Sequence, residues 1–428
     1  MTVFPGFTSF LHSRLDVVKT QLAPAPDRGL VLALGALFFL FPISKSLYVL
    51  PLAVAIILSF RQANASAWLI HIRSIPLLWF PLAIYFLVIL QAPLSPADAN
   101  DILEHLRKYA RLLFLVLFVL VFVGHDRRQQ AALIGFTAAM VIIVGATWIR
   151  IVWSNPLLGS QADGSALFGD HITQNIMVAF FTVIAFQNAY KSKTHWGRLA
   201  WWSILALSVL SITHYSIGRT GQVLLLVVWL SYLLCSMRGW KLLTASLLLA
   251  LLVWASYSSS LHLRSRFDQA IAEARLAETD RLTSIGHRLY NYQTTPRLIA
   301  DKPIFGHGTG AYHSQICHYI DQAEQCPIFQ RHPHNQFLFL AADHGLVGSA
   351  LYLAYVAGLF VHAGRSNSSK SSRVMLAAFA AMLLVNSLIN SPLFSSRESQ
   401  FFALMAALLI AMNHSPSRAH ITKQATHG

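Results

Sequence analysis

Apolar runs of membrane-crossing length recur along this sequence, and no other feature constrains its fold so tightly. Runs of about 14 to 25 residues stand at roughly 28–43, 46–60, 75–94, 111–124, 131–153, 175–190, 199–214, 221–236, 241–258, 336–362, 374–394 and 401–413. Hydrophobic residues make up 55% of the chain and charged residues only 11%, which excludes a soluble globular protein. The expected fold is all-α: a polytopic membrane protein with about twelve transmembrane helices. The first pair of runs, split only by Pro42 to Ser46, and the last run make the weakest claims to a span. Met1 to Arg28 is mixed in character, with Pro5, Pro24 and Pro26, and does not read as a cleavable signal. It reads as a cytoplasmic lead-in.

Lysine and arginine set the orientation, because short cytoplasmic loops carry an excess of both. With the N-terminus inside, the inner connections hold Arg61 and Arg73, Arg127 and Arg128, Lys191, Lys193 and Arg198, Arg238 and Lys241, Arg365, Lys370 and Arg373, then Arg418 and Lys423. The connection from Ser154 to Gln174 has neither residue, as a translocated loop should. Lys45, Arg397 and the trio Arg107, Lys108 and Arg111 run against the pattern, the trio offset in part by Asp98, Asp101 and Glu104. The balance puts both termini in the cytoplasm.

One connection is long. From Ser259 to about Arg331 the chain forms an outer loop, which divides it into spans one to nine (1–258), a loop domain (259–335) and spans ten to twelve with a cytoplasmic tail (336–428). Leu263, Phe267, Ile271 and Ala274 recur at helical spacing, predicting an amphipathic helix on the membrane face. A second helix is expected to start at Ser284. The loop is basic, and its arginines read mainly as a surface facing solvent or lipid headgroups; no nucleic-acid partner is expected. Cys317 and Cys326 both fall in it. A disulfide and two unpaired thiols both fit that spacing outside the cytoplasm.

Polar residues at the membrane margin carry the chemistry. Arg219, in "HYSIGRTGQ", would cost about 2.5 to 3.5 kcal/mol at mid-membrane, so it either snorkels or has a partner. The flanking Gly218 and Gly221 suggest backbone opened to admit something, and a helix N-terminus beside a fixed guanidinium would suit a phosphate. Downstream, "SIGHRLYNYQTTPRLIADKPIFGHGTGAY" combines Arg288 with Gly306, Gly308 and Gly310 in a turn, read as structural because no Walker lysine or Rossmann unit accompanies it. The third cluster, "QRHPHNQFLF", places His332, His334 and Asn335 just before an apolar run. No third ligand stands nearby at metal spacing, so no metal or other cofactor is expected. His334 reads either as an interfacial residue capping the helix with Asn335 or as a group that exchanges protons near pH 7.

"GRTGQ" (218–222), Arg288 with "DKPIFGHGTG" (301–310), and "HPHNQFL" followed by "GLVG" (345–348) together resemble the O-antigen ligase and polymerase superfamily; "DHITQN" (170–175) resembles a further patch of it, an asparagine opening an outer-facing helix. The resemblance implies a GT-C-like fold with a late periplasmic loop, in a bacterial inner membrane. It implies a glycosyltransferase that moves a glycan from undecaprenyl pyrophosphate to the lipid A core, with Arg219, Arg288 and His334 catalytic. Asn335, Gly308 and His332 are expected to help bind substrate.

The chemistry of these residue types agrees. A departing pyrophosphate lipid gathers negative charge, which two guanidiniums can neutralise where no Asp-x-Asp motif offers a divalent ion. A histidine can take the proton of the attacking hydroxyl, and direct displacement inverts the anomeric carbon. Asp163 and Asp170 are rival bases that read better as solvated loop charge. Ligase fits the modest loop best; a polymerase or a protein O-oligosaccharyltransferase would share the motifs. A lipid-linked-sugar transporter would need charges along span interiors and an internal repeat, and neither is visible.

Overall fold

The computed structural model describes residues 27–153, 170–277 and 279–414, all helix, turn and loop with no strand among the described residues. In chain order the longer helices are α1 (Arg28–Ile43), α2 (Val49–Arg61), α3 (Ala65–Ser74), α4 (Trp79–Gln91), α5 (Ala99–Tyr109), α6 (Arg111–Phe122), α7 (Asp126–Trp153) and α8 (His171–Lys191). They continue with α9 (His195–Leu210), α10 (Arg219–Ser236), α11 (Trp240–Ser259), α12 (Leu261–Arg275), α13 (Ser284–Asp301), α14 (Gln336–Arg365), α15 (Lys370–Ile389) and α16 (Ser396–Met412).

Each of the twelve apolar runs is helical, but they are not equal. Among the described residues, seven helices are long and apolar enough to cross a membrane: the one at Pro76–Leu94 that contains α4, then α7, α8, α10, α11, α14 and α15. The second run is α2, which together with α3 is of span length but is bent by 105° at the break between them. α1, α6, α9 and α16 are shorter, of 16, 12, 16 and 17 residues. The described helices thus support a polytopic membrane protein, with seven of full span length and the remaining apolar runs in shorter helices, of which α1, α6 and α16 are well buried. Apolar packing and close approach hold this set together, as lipid leaves no water to drive association. A Cβ on Gly135 of α7 would lie 2.2 Å from the carbonyl oxygen of Gly35 on α1, so these two backbones touch only because residue 135 is glycine.

α14 is the helix that positions the site, and it is broken. Gly345 sits at φ 68°, ψ −171°, a region essentially reserved for glycine, and the break frees backbone groups that a membrane helix cannot leave unpaired. The turn at 303–308 fills it. His307 and Gly308 donate their N–H groups to the carbonyls of Ala342 and Asp343 at 3.0 and 2.8 Å, while Leu346 and Val347 donate to the carbonyls of Pro303 and Ile304 at 2.8 and 3.4 Å. A Cβ on Gly306 would lie 2.5 Å from the Asp343 backbone, and one on Gly345 2.1 Å from the Ile304 oxygen. Side chains seal the joint. Gln91 donates to the Phe305 carbonyl at 2.8 Å and meets His344 Nδ1 at 2.5 Å, Thr309 donates to Val88 O at 2.6 Å, and Asp343 accepts from Tyr312 N at 2.8 Å. The stretch after the break, 346–365, is about 30 Å long at 1.5 Å per residue and can cross a bilayer alone. The whole helix, Gln336–Arg365, is of span length, and the break divides it into a short half that follows His334 and a longer half after Gly345.

The loop has its own apolar cluster of Tyr290, Leu298, Tyr312, Ile316, Ile320, Cys326 and Phe329, which packs on Phe339 and Phe394. Both expected helices are present as α12 and α13, the latter starting at Ser284 with Thr283 as N-cap. Cys317 and Cys326 form a disulfide with Cα atoms 5.3 Å apart.

Candidate active site

Arg219 is the first residue of α10, and its position follows from the way the preceding chain breaks. α9 closes in a π-helical turn, Ser211–Tyr215, and the residues after it expose carbonyls without helical partners. α12 supplies the donors. Ser260 Oγ bonds Thr213 O at 3.0 Å, His262 Nε2 bonds Ser216 O at 2.8 Å, and Arg266 reaches Ile217 O through Nε at 3.0 Å and Nη2 at 2.7 Å. Further along the same helical face, Glu273 receives both arms of Arg219, Nη1 to Oε2 at 2.9 Å and Nη2 to Oε1 at 2.8 Å. Glu273 also accepts from Ile285 N at 3.2 Å, at the start of α13. It is buried, and the Arg219 hydrogen bonds hold its carboxyl below the usual carboxylate range against the opposing effect of burial.

The amphipathic helix is therefore inverted relative to a soluble one. His262, Arg266 and Glu273 face the protein, while Phe267 and Ile271 remain exposed on the opposite side.

Gly218 and Gly221 make room for α8 rather than for a ligand. A Cβ on Gly221 would lie 2.4 Å from Asn175 Cβ, and one on Gly218 would lie 3.0 Å from both Asn175 and His171. Asn175 also bonds Ser216 Oγ. It stands one turn inside α8, whose N-cap is Asp170, accepting from Thr173 N and Oγ1 at 2.8 Å each. That cap is the structural work of Asp170, and Asp163 lies outside the described residues.

Arg288 stands one turn into α13, with Nη1 3.5 Å from Ser284 Oγ and Nε buried without a partner. Burial draws its guanidinium below the ordinary arginine value, and Tyr292, Arg219 and Glu273 act on it electrostatically. An arginine remains charged under such a pull, so Arg288 is a half-buried cation short of counter-charge.

His334 completes the arrangement. Among the described residues it is the one non-glycine residue with positive φ, at 54°, which turns the chain sharply just before α14. Asn335 caps that helix, accepting from Phe337 N at 3.0 Å and Leu338 N at 3.1 Å, and donates to Leu388 O at 3.3 Å. Tyr292 Oη lies 3.0 Å from His334 O and 2.6 Å from Leu388 O, donating to both. The His334 ring stands 4.2 Å from that of His332 and 5.1 Å from that of His287, centroid to centroid. His334 N–H donates to His332 Nδ1 at 3.3 Å, so the second histidine supports the turn. His287 Nε2 bonds Ile328 O at 3.1 Å.

All three imidazoles are held neutral. Burial lowers each from its ordinary value, His332 to about 3, and the neighbouring basic groups add to the effect; on His334 these are His332, Arg288, His287 and Arg331. His334 Nδ1 is buried and unpartnered.

Arg219, Arg288 and His334 are thus brought to one end of the helix set, linked by Glu273 and Tyr292. Asn335 and His332 adjoin them. Gly308 does not share these contacts: its backbone lies against Asp343 and Ser95 at the α14 break. Among the described residues no group of histidine, cysteine, aspartate and glutamate could hold a metal ion. Sequence reasoning passed over Glu273, His287 and Tyr292. Glu273 left one signal: an acid at helical spacing from His262 and Arg266, on the face opposite the apolar stripe.

Two cations and neutral imidazoles can together receive a polyanion and accept a proton from a hydroxyl. A comparison with families agrees with that chemistry, for residues 203–353 match the family described as O-antigen ligase. No curated protein matches the chain.

Proposed function

We propose that this chain, which belongs to the O-antigen ligase superfamily through residues 203–353, is a ligase that transfers a glycan from undecaprenyl pyrophosphate to the lipid A core. Members of the superfamily are membrane enzymes that act on lipid-linked glycans. The observation that carries the reading is the convergence of Arg219, Arg288 and an unpartnered His334 imidazole at the loop end of the helices. The reaction takes place at the periplasmic face of a bacterial inner membrane. The loop disulfide, a bond of oxidising compartments, supports that side.

Arg288 and Arg219 receive the pyrophosphate and neutralise the charge that develops as the sugar–phosphate bond breaks. His334 takes the proton of the core hydroxyl as the oxygen attacks the anomeric carbon, with inversion. In the ligand-free site burial first, and then the neighbouring basic groups, hold His334 below its ordinary imidazole range. The incoming pyrophosphate offsets the second of these effects, and that part of the basicity returns when the donor is in place.

The test gives purified protein an undecaprenyl-pyrophosphate glycan and lipid A bearing its core, with a chelator present. Glycan on the core is expected. Growth of the donor chain would make the enzyme a polymerase, and no covalent product would point to transport. His334→Asn, chosen because asparagine tolerates positive φ, should keep the fold and lose about 10²- to 10⁴-fold in rate. Wild-type rates in that variant would remove His334 from the chemistry.

A further inference from the structure

We propose that Glu273 is a positioning residue that holds Arg219 for the anionic donor and, while doing so, competes with that donor for the guanidinium. The inference rests on the functional reading above and extends it to a residue outside the resembling motifs.

Three observations support it. The carboxylate binds Arg219 in a two-pronged fork, the geometry that fixes a guanidinium in both distance and plane. Its Oε2 is shared with Ile285 N, so one acid ties the start of α10 to the start of α13, and Arg288 rides on α13 one turn later. Ser260, His262 and Arg266 clamp the same helix to the 213–217 backbone, leaving Glu273 little freedom to follow Arg219 if it moved. The separation of the two arginines is therefore set through Glu273. Its negative charge also lies on the group that must attract pyrophosphate, so Arg219 is oriented at the expense of ground-state affinity.

This dual role predicts effects of opposite sign. Replacing Glu273 with glutamine keeps an acceptor for Ile285 N and removes the charge. Arg219 then loses its fixed plane but gains free positive charge. For Glu273→Gln, kcat should fall about ten-fold while the KM for an undecaprenyl-pyrophosphate glycan falls two- to five-fold. Glu273→Asp keeps the charge, and its KM should stay near wild type. Binding of undecaprenyl pyrophosphate without glycan, measured apart from turnover, should tighten in Glu273→Gln and weaken in Arg219→Ala. Unchanged kcat and KM would overturn the proposal, as would a KM that rises together with a lowered unfolding temperature, the mark of a merely structural acid. Product binding that fails to tighten in Glu273→Gln would overturn it even if wild-type protein transferred nothing, an outcome that by itself would sink only the functional reading.

Discussion

The Tyr292 hydroxyl lies 3.0 Å from the backbone carbonyl of His334 and 2.6 Å from that of Leu388, so one proton fastens the turn carrying the proposed base to the end of a neighbouring helix. Tyr292→Phe removes that fastening and keeps the ring. A net hydrogen bond of about 1 kcal/mol corresponds to roughly a five-fold change in rate. The expected outcome is a fall of that size in kcat with KM little altered, read in a transfer assay. An unchanged kcat would show that the His334 turn holds itself.

Acid should unfold this site early. His287, His332 and His334 have native pKa values depressed by burial and then by neighbouring positive groups. Below about pH 6.5 the unfolded chain binds protons that the native site refuses, so stability is full above that pH and declines as pH falls through it. Glu273, also depressed, adds a second loss below the ordinary carboxylate value of 4.5. Unfolding temperatures of detergent-solubilised protein should drop between pH 7 and pH 5, and drop less in His332→Asn. The same depression keeps His334 neutral, so the acid limb of kcat/KM should lie below pH 6.5.

Gly345 tests the filled break in α14. Alanine there needs a backbone conformation costing about 1–3 kcal/mol and puts a Cβ 2.1 Å from the Ile304 oxygen. Gly345→Ala should yield little folded protein. Gly364, later in the same helix, has nothing within 4 Å of an added Cβ. Gly364→Ala should match wild type in size-exclusion behaviour and unfolding temperature, and a matching Gly345→Ala profile would contradict the described joint.

The disulfide closes a loop of about ten residues, a constraint worth about 2–3 kcal/mol in the chain-entropy account. Replacing both Cys317 and Cys326 with serine should lower the unfolding temperature and leave transfer detectable. Thiol titration of unreduced, denatured protein should find only Cys235 of the three cysteines.

Local signals made much of this fold legible. Apolar runs marked the helices, and the 3.6-residue pattern marked α12. Arg219, His334 and Asn335 stand out as polar groups at the edges of apolar runs, whereas Arg288, inside a basic loop, stands out only through the family resemblance. What stayed hidden depends on partners far apart in the chain. The glycines of 306–310 read as a turn, yet nothing nearby revealed that the turn fills a break in α14. Glu273 looked like one more acid on a basic helix, since its partner Arg219 is 54 residues away. Gly218 and Gly221 suggest an opening in the backbone, and what occupies it, Asn175, comes from another helix.

The filled break in α14 also bears on how such a protein is made. The ribosome delivers residues 303–308 before residue 345, so the plug exists before the hole it must fill. A half-helix that emerges into lipid with unpaired carbonyls cannot rest there, and its completion waits on a turn already synthesised with the preceding loop. The joint thereby makes the loop a participant in membrane insertion: errors in the loop would surface as a failure to seat the next helix, well before any substrate is met.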